Sequence, residues 1–168
     1  FGIDGFTVGS DGAYNSNNEA MMSWNWRANG GTTAANSVGS TNSVTQVDPS
    51  GAFSIVTYPA ITSGASASGT IGHGMGVAPE FIIHKQVTAS SGWWTQVPNF
   101  LTDAGYFLEL SSAGGQTNLN GYGTMNVPTT SVFTVNGVQG VGGGGGTYVA
   151  YCFTNVEGYC KIGSYAAN

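Results

Sequence analysis

Charged residues are scarce in this sequence, and basic residues are the scarcest. Only 7% of the 168 residues are charged; eight are acidic and three are basic (Arg27, Lys85 and Lys161), which gives a net charge of −5. Lysine and arginine supply most of the affinity of proteins for nucleic-acid phosphates. The sequence therefore argues against nucleic acid as a partner.

Long apolar runs are also missing. No stretch approaches the roughly 18 consecutive apolar residues that a membrane-spanning helix needs, so we expect no membrane insertion. The chain starts at Phe1 without an initiator methionine or a signal peptide, and we therefore expect a processed product or a fragment of a longer protein.

Typical helix-forming residues are rare, whereas material for a core is plentiful. Hydrophobic residues make up 40% of the sequence, aromatic residues 12%, and glycine occurs 28 times, a balance typical of all-β proteins. Short apolar runs between turn residues predict strands at 5–8, 21–27, 53–58, 69–72, 80–85, 93–96, 106–110, 132–135, 147–153 and 159–165. They predict an antiparallel β-sandwich or a barrel-like module with Gly/Ser/Asn-rich loops.

Cysteine is nearly absent, with Cys152 and Cys160 as its two occurrences. A disulfide between them is compatible with their spacing, and so are two buried thiols on neighbouring strands. Both alternatives stay open from the sequence.

The sequence repeats itself at long range. Residues 6–8 and 24–26 return as residues 133–135 and 151–153, with the same offset of 127 residues for both blocks (133 − 6 and 151 − 24). Both copies of the first block read Phe-Thr-Val, and both copies of the second read aromatic-x-aromatic. A period above about 50 residues indicates whole domains in tandem rather than a solenoid of small units.

The repeat divides the chain into units. A second pair of similar segments, residues 51–58 and residues 157–165, indicates the start of a further copy. Trp24 and Trp26 are two residues apart and are therefore predicted to share a face in the core of the first copy. The predicted order is the end of a preceding unit at 1–27, a linker or long surface loop at 28–52, a complete β unit at 53–154, and the opening strand of a next unit at 155–168.

An ordered series of blocks gives the chain a resemblance to a known family. The blocks are residues 71–85, which begin Ile-Gly-His-Gly-Met-Gly, and residues 92–94, 106–110, 128–133 and 148–153. They resemble a repeat family of structural proteins from tailed phages, abundant in marine phages, whose repeats often stand behind concanavalin-like lectin modules. The resemblance implies a tail-fibre or other virion-surface component, and it implies no catalytic residues.

The first of these blocks combines glycines with a buried-strand pattern. Gly72, Gly74 and Gly76 alternate with larger residues, which lets the chain turn tightly or lie against another backbone. The continuous apolar run at 81–83 predicts a strand covered on both faces, by a second layer or by a neighbouring subunit.

Catalytic and cofactor patterns are missing. No Cys or carboxylate lies at ligand spacing from His73 or His84, which are predicted as polar loop or strand-end residues rather than metal ligands. The Gly-x-Ser-x-Gly elbow of hydrolases is absent. The five glycines at 142–146 lack the following helix, acidic residue and lysine of nucleotide-binding loops. We expect a non-enzymatic protein without a cofactor or metal.

Exposed aromatic residues are the strongest candidates for a contact site. Trp93 and Trp94 are adjacent, so on a strand they point to opposite faces, one to the core and the other to the surface. The surface ring could stack on a sugar or pack in an interface, and Tyr122, between two glycines, could supplement it. These three residues are the candidate glycan or interface contacts.

Two functions of different classes follow from these patterns. In the first, which the sequence favours, the chain is a structural building block of a tail fibre or surface fibre, located on the virion surface or otherwise outside the cell. Copies of the chain are then its partners, joined through strand material at the two ends. In the second, the chain recognises a host-surface glycan. A subunit of a cellular extracellular filament is a further alternative.

Overall fold

The fold is all-β, as the composition predicted. The structure is a computed structural model that describes residues 5–28, 32–61 and 66–166. Within these ranges, two short helical elements occur, α1 (Gly12–Asn15) and a 3₁₀ helix (Asn120–Tyr122). None of the helices in the described part of the chain is long and apolar enough to cross a membrane.

The strands form an antiparallel eight-stranded sheet and a separate two-stranded sheet. In chain order they are β1 (Ala34–Asn36), β2 (Ser43–Val47), β3 (Phe53–Pro59), β4 (Ser68–Gly72), β5 (Phe81–Gln86), β6 (Trp94–Gln96), β7 (Tyr106–Glu109), β8 (Thr117–Asn118), β9 (Val132–Asn136) and β10 (Thr147–Phe153). The large sheet has the order β1-β2-β3-β10-β5-β6-β7-β8, and the small sheet pairs β4 with β9.

Strand β10 lies at the centre of the large sheet. It pairs with β3 along its whole length and with β5 on its other side, so that Tyr151 lies opposite both Ile55 and Ile83. From 148 to 153 the strand reads Tyr-Val-Ala-Tyr-Cys-Phe, a pattern that suits a strand without a solvent-facing side. The most apolar strand therefore takes the central position.

The small sheet covers one face of the large sheet, called here the inner face. The ring centroid of Phe133 on β9 lies 5.9 Å from that of Tyr58 and 5.5 Å from that of His84. The core between the layers consists of Val56, Tyr58, Ile61, Ile71, Met75, Ile82, Ala104, Phe107, Leu119, Met125, Phe133, Val135, Val141, Tyr148, Ala150 and Cys152. Two sheets packed face to face make a β-sandwich, and the large sheet does not close into a barrel because β1 and β8 are its edges.

Side chains alternate between the two faces of the large sheet, because successive residues of a strand point in opposite directions. On β5, Ile82 and His84 are fully buried on the inner face, whereas Phe81 and Ile83 are only half-buried. The same alternation places the odd-numbered residues of β3, β5 and β10 on the opposite face, called here the outer face.

Three predicted strands are wrong. Residues 5–8, 21–27 and 159–165 form no strand. An apolar pattern alone does not make a strand, because a strand also has to pair its backbone groups with a neighbouring strand. In the last segment, an isolated bridge joins Val156 and Cys160. The other seven predicted strands form, and each of their bounds is either as predicted or differs by one residue.

The prediction of a linker or surface loop throughout 28–52 is also corrected, because this tract holds β1 and β2. Polar residues of this tract can be buried in a sheet when backbone groups accept their hydrogen bonds. Ser43, for example, is buried, and its hydroxyl donates to the carbonyl of Gly72 at 2.8 Å. The division of the chain into repeat units stays a prediction, and parts of each unit lie outside the described residues.

Candidate functional site

The outer face of the large sheet carries a strip of apolar side chains. The register aligns two neighbouring rows across β3, β10 and β5: Phe53, Phe153 and Phe81, then Ile55, Tyr151 and Ile83. The centroid of Phe153 lies 4.7 Å from that of Phe53 and 5.9 Å from that of Phe81. Apolar cross-strand pairs of this kind stabilise a sheet, but the strands of the described residues form no second sheet over them on this side.

A segment without regular structure lies over part of this strip. This segment, residues 21–28, is called here the arm. The ring of Trp26 lies 5.6 Å from Phe153 and 6.3 Å from Phe53 between centroids. Trp26 is nevertheless 51% exposed and Trp24 is 72% exposed. The prediction that both tryptophans belong to a core is therefore corrected, since they lie outside the sandwich.

An open groove of about 730 Å³ lies beside Trp26, between the arm and the sheet. Its lining includes Trp24 of the arm, Ile83 and Tyr151 of the sheet, and Trp93 and Leu110 of the loops beside the sheet. No charged side chain occurs among the described residues that line it. An uncharged groove of aromatic and aliphatic side chains suits an apolar partner better than an ionic one.

A second groove, of about 480 Å³, continues the apolar surface past Trp26. It shares Trp26, Ile83 and Phe153 with the first groove and is bounded by residues 160–163. Hydrogen bonds hold this loop in place, because Glu80 accepts from the Asn155 side chain at 2.6 Å and Asn155 accepts from the Ile162 backbone at 2.6 Å. Trp26 thus stands between two open grooves of one apolar surface.

Trp93 and Trp94 lie on opposite sides of the large sheet. Trp94, opposite His84 on β5, packs against the core, whereas Trp93 is 41% exposed and lines the groove. The ammonium of Lys85 lies 5.9 Å from the centroid of the Trp93 ring, a distance at which a cation is attracted to the face of an indole. Trp93 is therefore the surface member of the pair.

Tyr122 lies elsewhere. It ends the 3₁₀ helix, and its carbonyl accepts a hydrogen bond from the backbone of Gly137, just past the end of β9, at 2.9 Å. Its side chain is exposed. The three candidate contacts thus occupy three settings: Trp93 in the outer groove, Trp94 against the core, and Tyr122 beside the end of the small sheet.

His84 is a core residue rather than a strand-end residue. It is fully buried within β5, and its Nδ1 lies 3.1 Å from the hydroxyl of Tyr58, which donates to the Val141 carbonyl at 2.8 Å. Because the phenol gives its proton to Val141, Nδ1–H donates to the phenol oxygen. Burial lowers the pKa of His84 to about 3, so the ring is neutral at physiological pH.

His73 holds the turn that follows β4. Its Nδ1 accepts from the backbone of Met75 at 3.2 Å, so its Nε2–H donates to the carbonyl of Thr129 at 3.1 Å. Burial lowers the pKa of His73, and the hydrogen bond to Thr129 partly opposes the shift. Within the described ranges, no three His, Cys, Asp or Glu residues come together as a metal site.

The glycines around His73 have separate roles. Gly74 and Gly76 both have φ = +75°, a conformation that favours glycine. Gly72 is limited by space, because a Cβ at this position would collide with the side-chain amide of Asn36. These residues shape the turn and bring β4 against β1.

Cys152 and Cys160 are free thiols. Cys152 is fully buried on the inner face, and burial raises its pKa to about 12. Cys160 is half-buried beside the second groove. Of the two alternatives left open by the sequence, the structure has the free thiols, although Cys160 lies in a loop rather than on a neighbouring strand.

Sequence reasoning missed most of the groove. Ile55, Ile83 and Tyr151 were assigned to strands, but not to a candidate site. The available signal was that every residue of 81–83 and 148–153 is apolar. Both faces of these strands are therefore apolar, whereas the small sheet covers only one of them. Leu110 has no such signal, since its place beside the groove depends on the loop after β7.

Comparison with protein families gives a match along the whole chain. A family model described as a domain of unknown function, DUF7483, matches residues 1–168. No curated protein and no solved structure matches. This description gives no activity, so the functional inference depends on the chemistry of the surface.

Proposed function

The chain belongs to the DUF7483 domain family, and we propose that it is a non-enzymatic structural protein that assembles with copies of itself. Its proposed place is the virion surface, as a building block of a tail fibre or another surface fibre. Copies of the chain are its proposed partners, with no part for nucleic acid, a cofactor or membrane insertion.

The observation that supports this proposal best is the apolar surface of the arm. Met21, Met22 and Trp24 are 52–76% exposed and follow one another closely in the sequence. Contiguous apolar residues on the surface of a soluble protein usually mark an interaction site. A protein that buries this surface against another copy of itself would remove it from water.

The structural roles of the two histidines support the non-enzymatic part of the proposal. Both rings are buried, and their hydrogen bonds join neighbouring elements of the fold: His73 to Thr129, and His84 to Tyr58. A general base has to reach a substrate, and neither ring is exposed to one. The groove of about 730 Å³ lies on the other face, and no charged side chain occurs among the described residues that line it.

The virion setting depends on the ordered blocks that resemble phage structural repeats. The same apolar surface would also suit a subunit of an extracellular filament of a cell, which is the alternative within this class. Both settings need self-association through exposed apolar surface. Only the native source of the protein separates them.

Electron microscopy of the native material, together with light scattering of the purified chain, tests the proposal. We expect a periodic polymer or a multi-copy appendage, and a molar mass that rises with protein concentration. A chain that stays monomeric at high concentration and occurs as isolated modules in the native material would contradict the proposal. A filament on cells rather than on virions would select the cellular alternative.

Glycan recognition is a second candidate, favoured by the exposed ring of Trp93. An indole face is a common platform for a sugar ring, and Asn25 and Ser111 line the same groove and offer hydrogen-bonding groups. A glycan array tests this function, with Trp93→Ala as the variant and Tyr165→Ala as the control, since Tyr165 is exposed and does not line the groove. Equal signals from the native chain and Trp93→Ala would remove this candidate.

A further inference from the structure

The outer face of the large sheet is only partly covered by the rest of the described chain. The inner face carries a second sheet. In the described part of the chain, the ring of Trp26 and the loop at 160–163 lie over the outer apolar rows but leave Ile55, Ile83 and Tyr151 half-buried. The open space on this face includes the groove of about 730 Å³ beside Trp24 and Trp93. The described lining holds no charge to pair with an ionic group, so the groove favours an uncharged occupant with a large apolar surface.

The arm of this chain has the chemistry that the face accepts. Trp26 already packs edge-on against Phe153 at 5.6 Å, the geometry that aromatic pairs prefer. Trp24, two residues earlier, also lines the groove but remains 72% exposed. The face therefore binds one tryptophan of the arm and leaves the other available.

The arm and the strand beneath it share a pattern. Trp24 and Trp26 are spaced like Tyr151 and Phe153, the outward-facing residues of β10. A two-fold contact requires a patch that is complementary to itself. Aromatic residues at the same spacing on both partners of a contact meet this requirement.

We propose that a second copy of this chain covers the outer face. Two chains pack outer face to outer face about a two-fold axis, and Trp24 of each copy enters the groove of the other, beside Trp93 and Leu110. This inference rests on the proposed function, and it adds the surface and the symmetry of one contact. Because a two-fold contact closes on itself, the resulting dimer is the unit from which a fibre would be built through other surfaces.

The exposed side chains supply enough area for such a contact. Six apolar residues of the arm and the groove are 41–76% exposed: Met21, Met22, Trp24, Trp26, Trp93 and Leu110. If each offers roughly 200 Å² in full, complete burial of all six would remove up to about 700 Å² per copy from water, which approaches the roughly 800 Å² per partner of a standard stable interface.

Charge gives the contact a recognisable salt dependence. Each copy carries a net charge of −5, while the described lining of the groove is uncharged. Two such copies repel one another at long range, and salt screens that repulsion. Association of copies should therefore strengthen as salt is added. Binding of an oppositely charged partner would instead weaken with salt, because salt screens that attraction.

Sedimentation velocity of the 168-residue chain, over a range of protein and salt concentrations, tests this contact. The variants are Trp24→Asp and Leu110→Ser, and the control is Tyr165→Ser, which changes an exposed aromatic residue that does not line the groove. We expect a dimer whose dissociation constant rises about tenfold or more in each variant, remains unchanged in the control, and falls as salt is added. The two variants change different segments, so a folding defect in one leaves the other informative.

The possible failures are distinguishable. If the native chain associates and both variants associate equally well, this surface is wrong while the proposed function stands. If the native chain forms a ladder of larger species that both variants abolish, the groove is an interface but the two-fold symmetry is wrong. If the native chain is a monomer under all conditions, the inference fails together with the proposed function.

Discussion

The two faces of the large sheet are built from similar residues but differ in how fully they are covered. On the inner face, Ile82 and Tyr148 are fully buried beneath the small sheet. On the outer face, Ile83 and Tyr151 belong to the same two strands and are only half-buried. The chain therefore carries more apolar strand surface than its own two layers bury.

This difference separates two roles of apolar residues. Those on the inner face hold the sandwich together, because their contacts lie within one chain. Those on the outer face add less to the stability of a single chain and remain available for contact with another molecule. The comparison predicts that substitutions on the two faces will have different effects.

Adjacent isoleucines of β5 provide the sharpest test. We expect Ile82→Ala to lower the free energy of unfolding by about 2–5 kcal/mol, since it leaves a cavity in a closed core. Ile83→Ala should cost about 1 kcal/mol or less, because this side chain is only partly removed from water. Urea unfolding monitored by circular dichroism at low protein concentration measures both, and equal costs would contradict the distinction.

Acid should lower the free energy of unfolding through a residue of the inner face, His84. The pKa of His84 is lowered to about 3 in the folded state, whereas an unfolded histidine titrates near 6.5. The unfolded state therefore binds more protons between these values, so the stabilisation from neutral His84 is present above about pH 6.5 and is lost as the pH falls towards 3.

For His84 alone we expect a loss of roughly 2 kcal/mol between pH 7 and pH 5, a range in which ordinary carboxylates remain ionised. His73, whose pKa is also lowered, adds to the loss. Urea unfolding at several pH values measures the slope. His84→Leu should reduce the slope even if it lowers stability overall, and an unchanged slope would show that His84 is not responsible.

Paired tyrosines extend the comparison to hydrogen bonds. Tyr58→Phe on the inner face removes a buried hydroxyl that donates to Val141 and accepts from His84, so we expect a loss of about 1–2 kcal/mol. Tyr151→Phe on the outer face should change the stability of the single chain by less than about 0.5 kcal/mol. Denaturant unfolding of both variants provides the measurement, and a loss for Tyr151→Phe as large as that for Tyr58→Phe would argue against the contrast.

The two thiols test the same contrast without a substitution. Cys152 lies in the closed core with a raised pKa, whereas Cys160 is half-buried at the outer grooves. Iodoacetamide should label Cys160 in the native chain and reach Cys152 only when the chain unfolds. Peptide mass spectrometry identifies the modified residue. Rapid labelling of Cys152 under native conditions would mean that the core opens easily.

The sequence predicted the central part of the fold and missed its extensions. Strands β3, β5 and β10 were recognisable because each combines apolar residues with turn residues at its ends. Strands β1 and β2 were not, since the polar residues of 28–52 resemble a linker, and only the pairing of Ser43 with the backbone of Gly72 shows how they fit a sheet. Conversely, 21–27 has the pattern of a strand but lacks a neighbour.

The candidate site was predictable in part. The adjacency of Trp93 and Trp94 implied that one ring points to each face, which the structure shows. It could not indicate which ring is exposed, because that depends on the register of β6 with β5. Tyr122 was grouped with them only because it is aromatic and flanked by glycines, and distant segments of a chain cannot be grouped without the fold.

The position of β10 also affects when this protein can fold. The strand joins β3 to β5, yet it is the last of the ten described strands in the chain. On the ribosome, the two halves of the large sheet therefore remain separate until residues 147–153 have emerged. Pairing over such long sequence separations is slow and leaves strand edges exposed meanwhile, so the nascent chain exposes the inner edges of β3 and β5 until the central strand has been made.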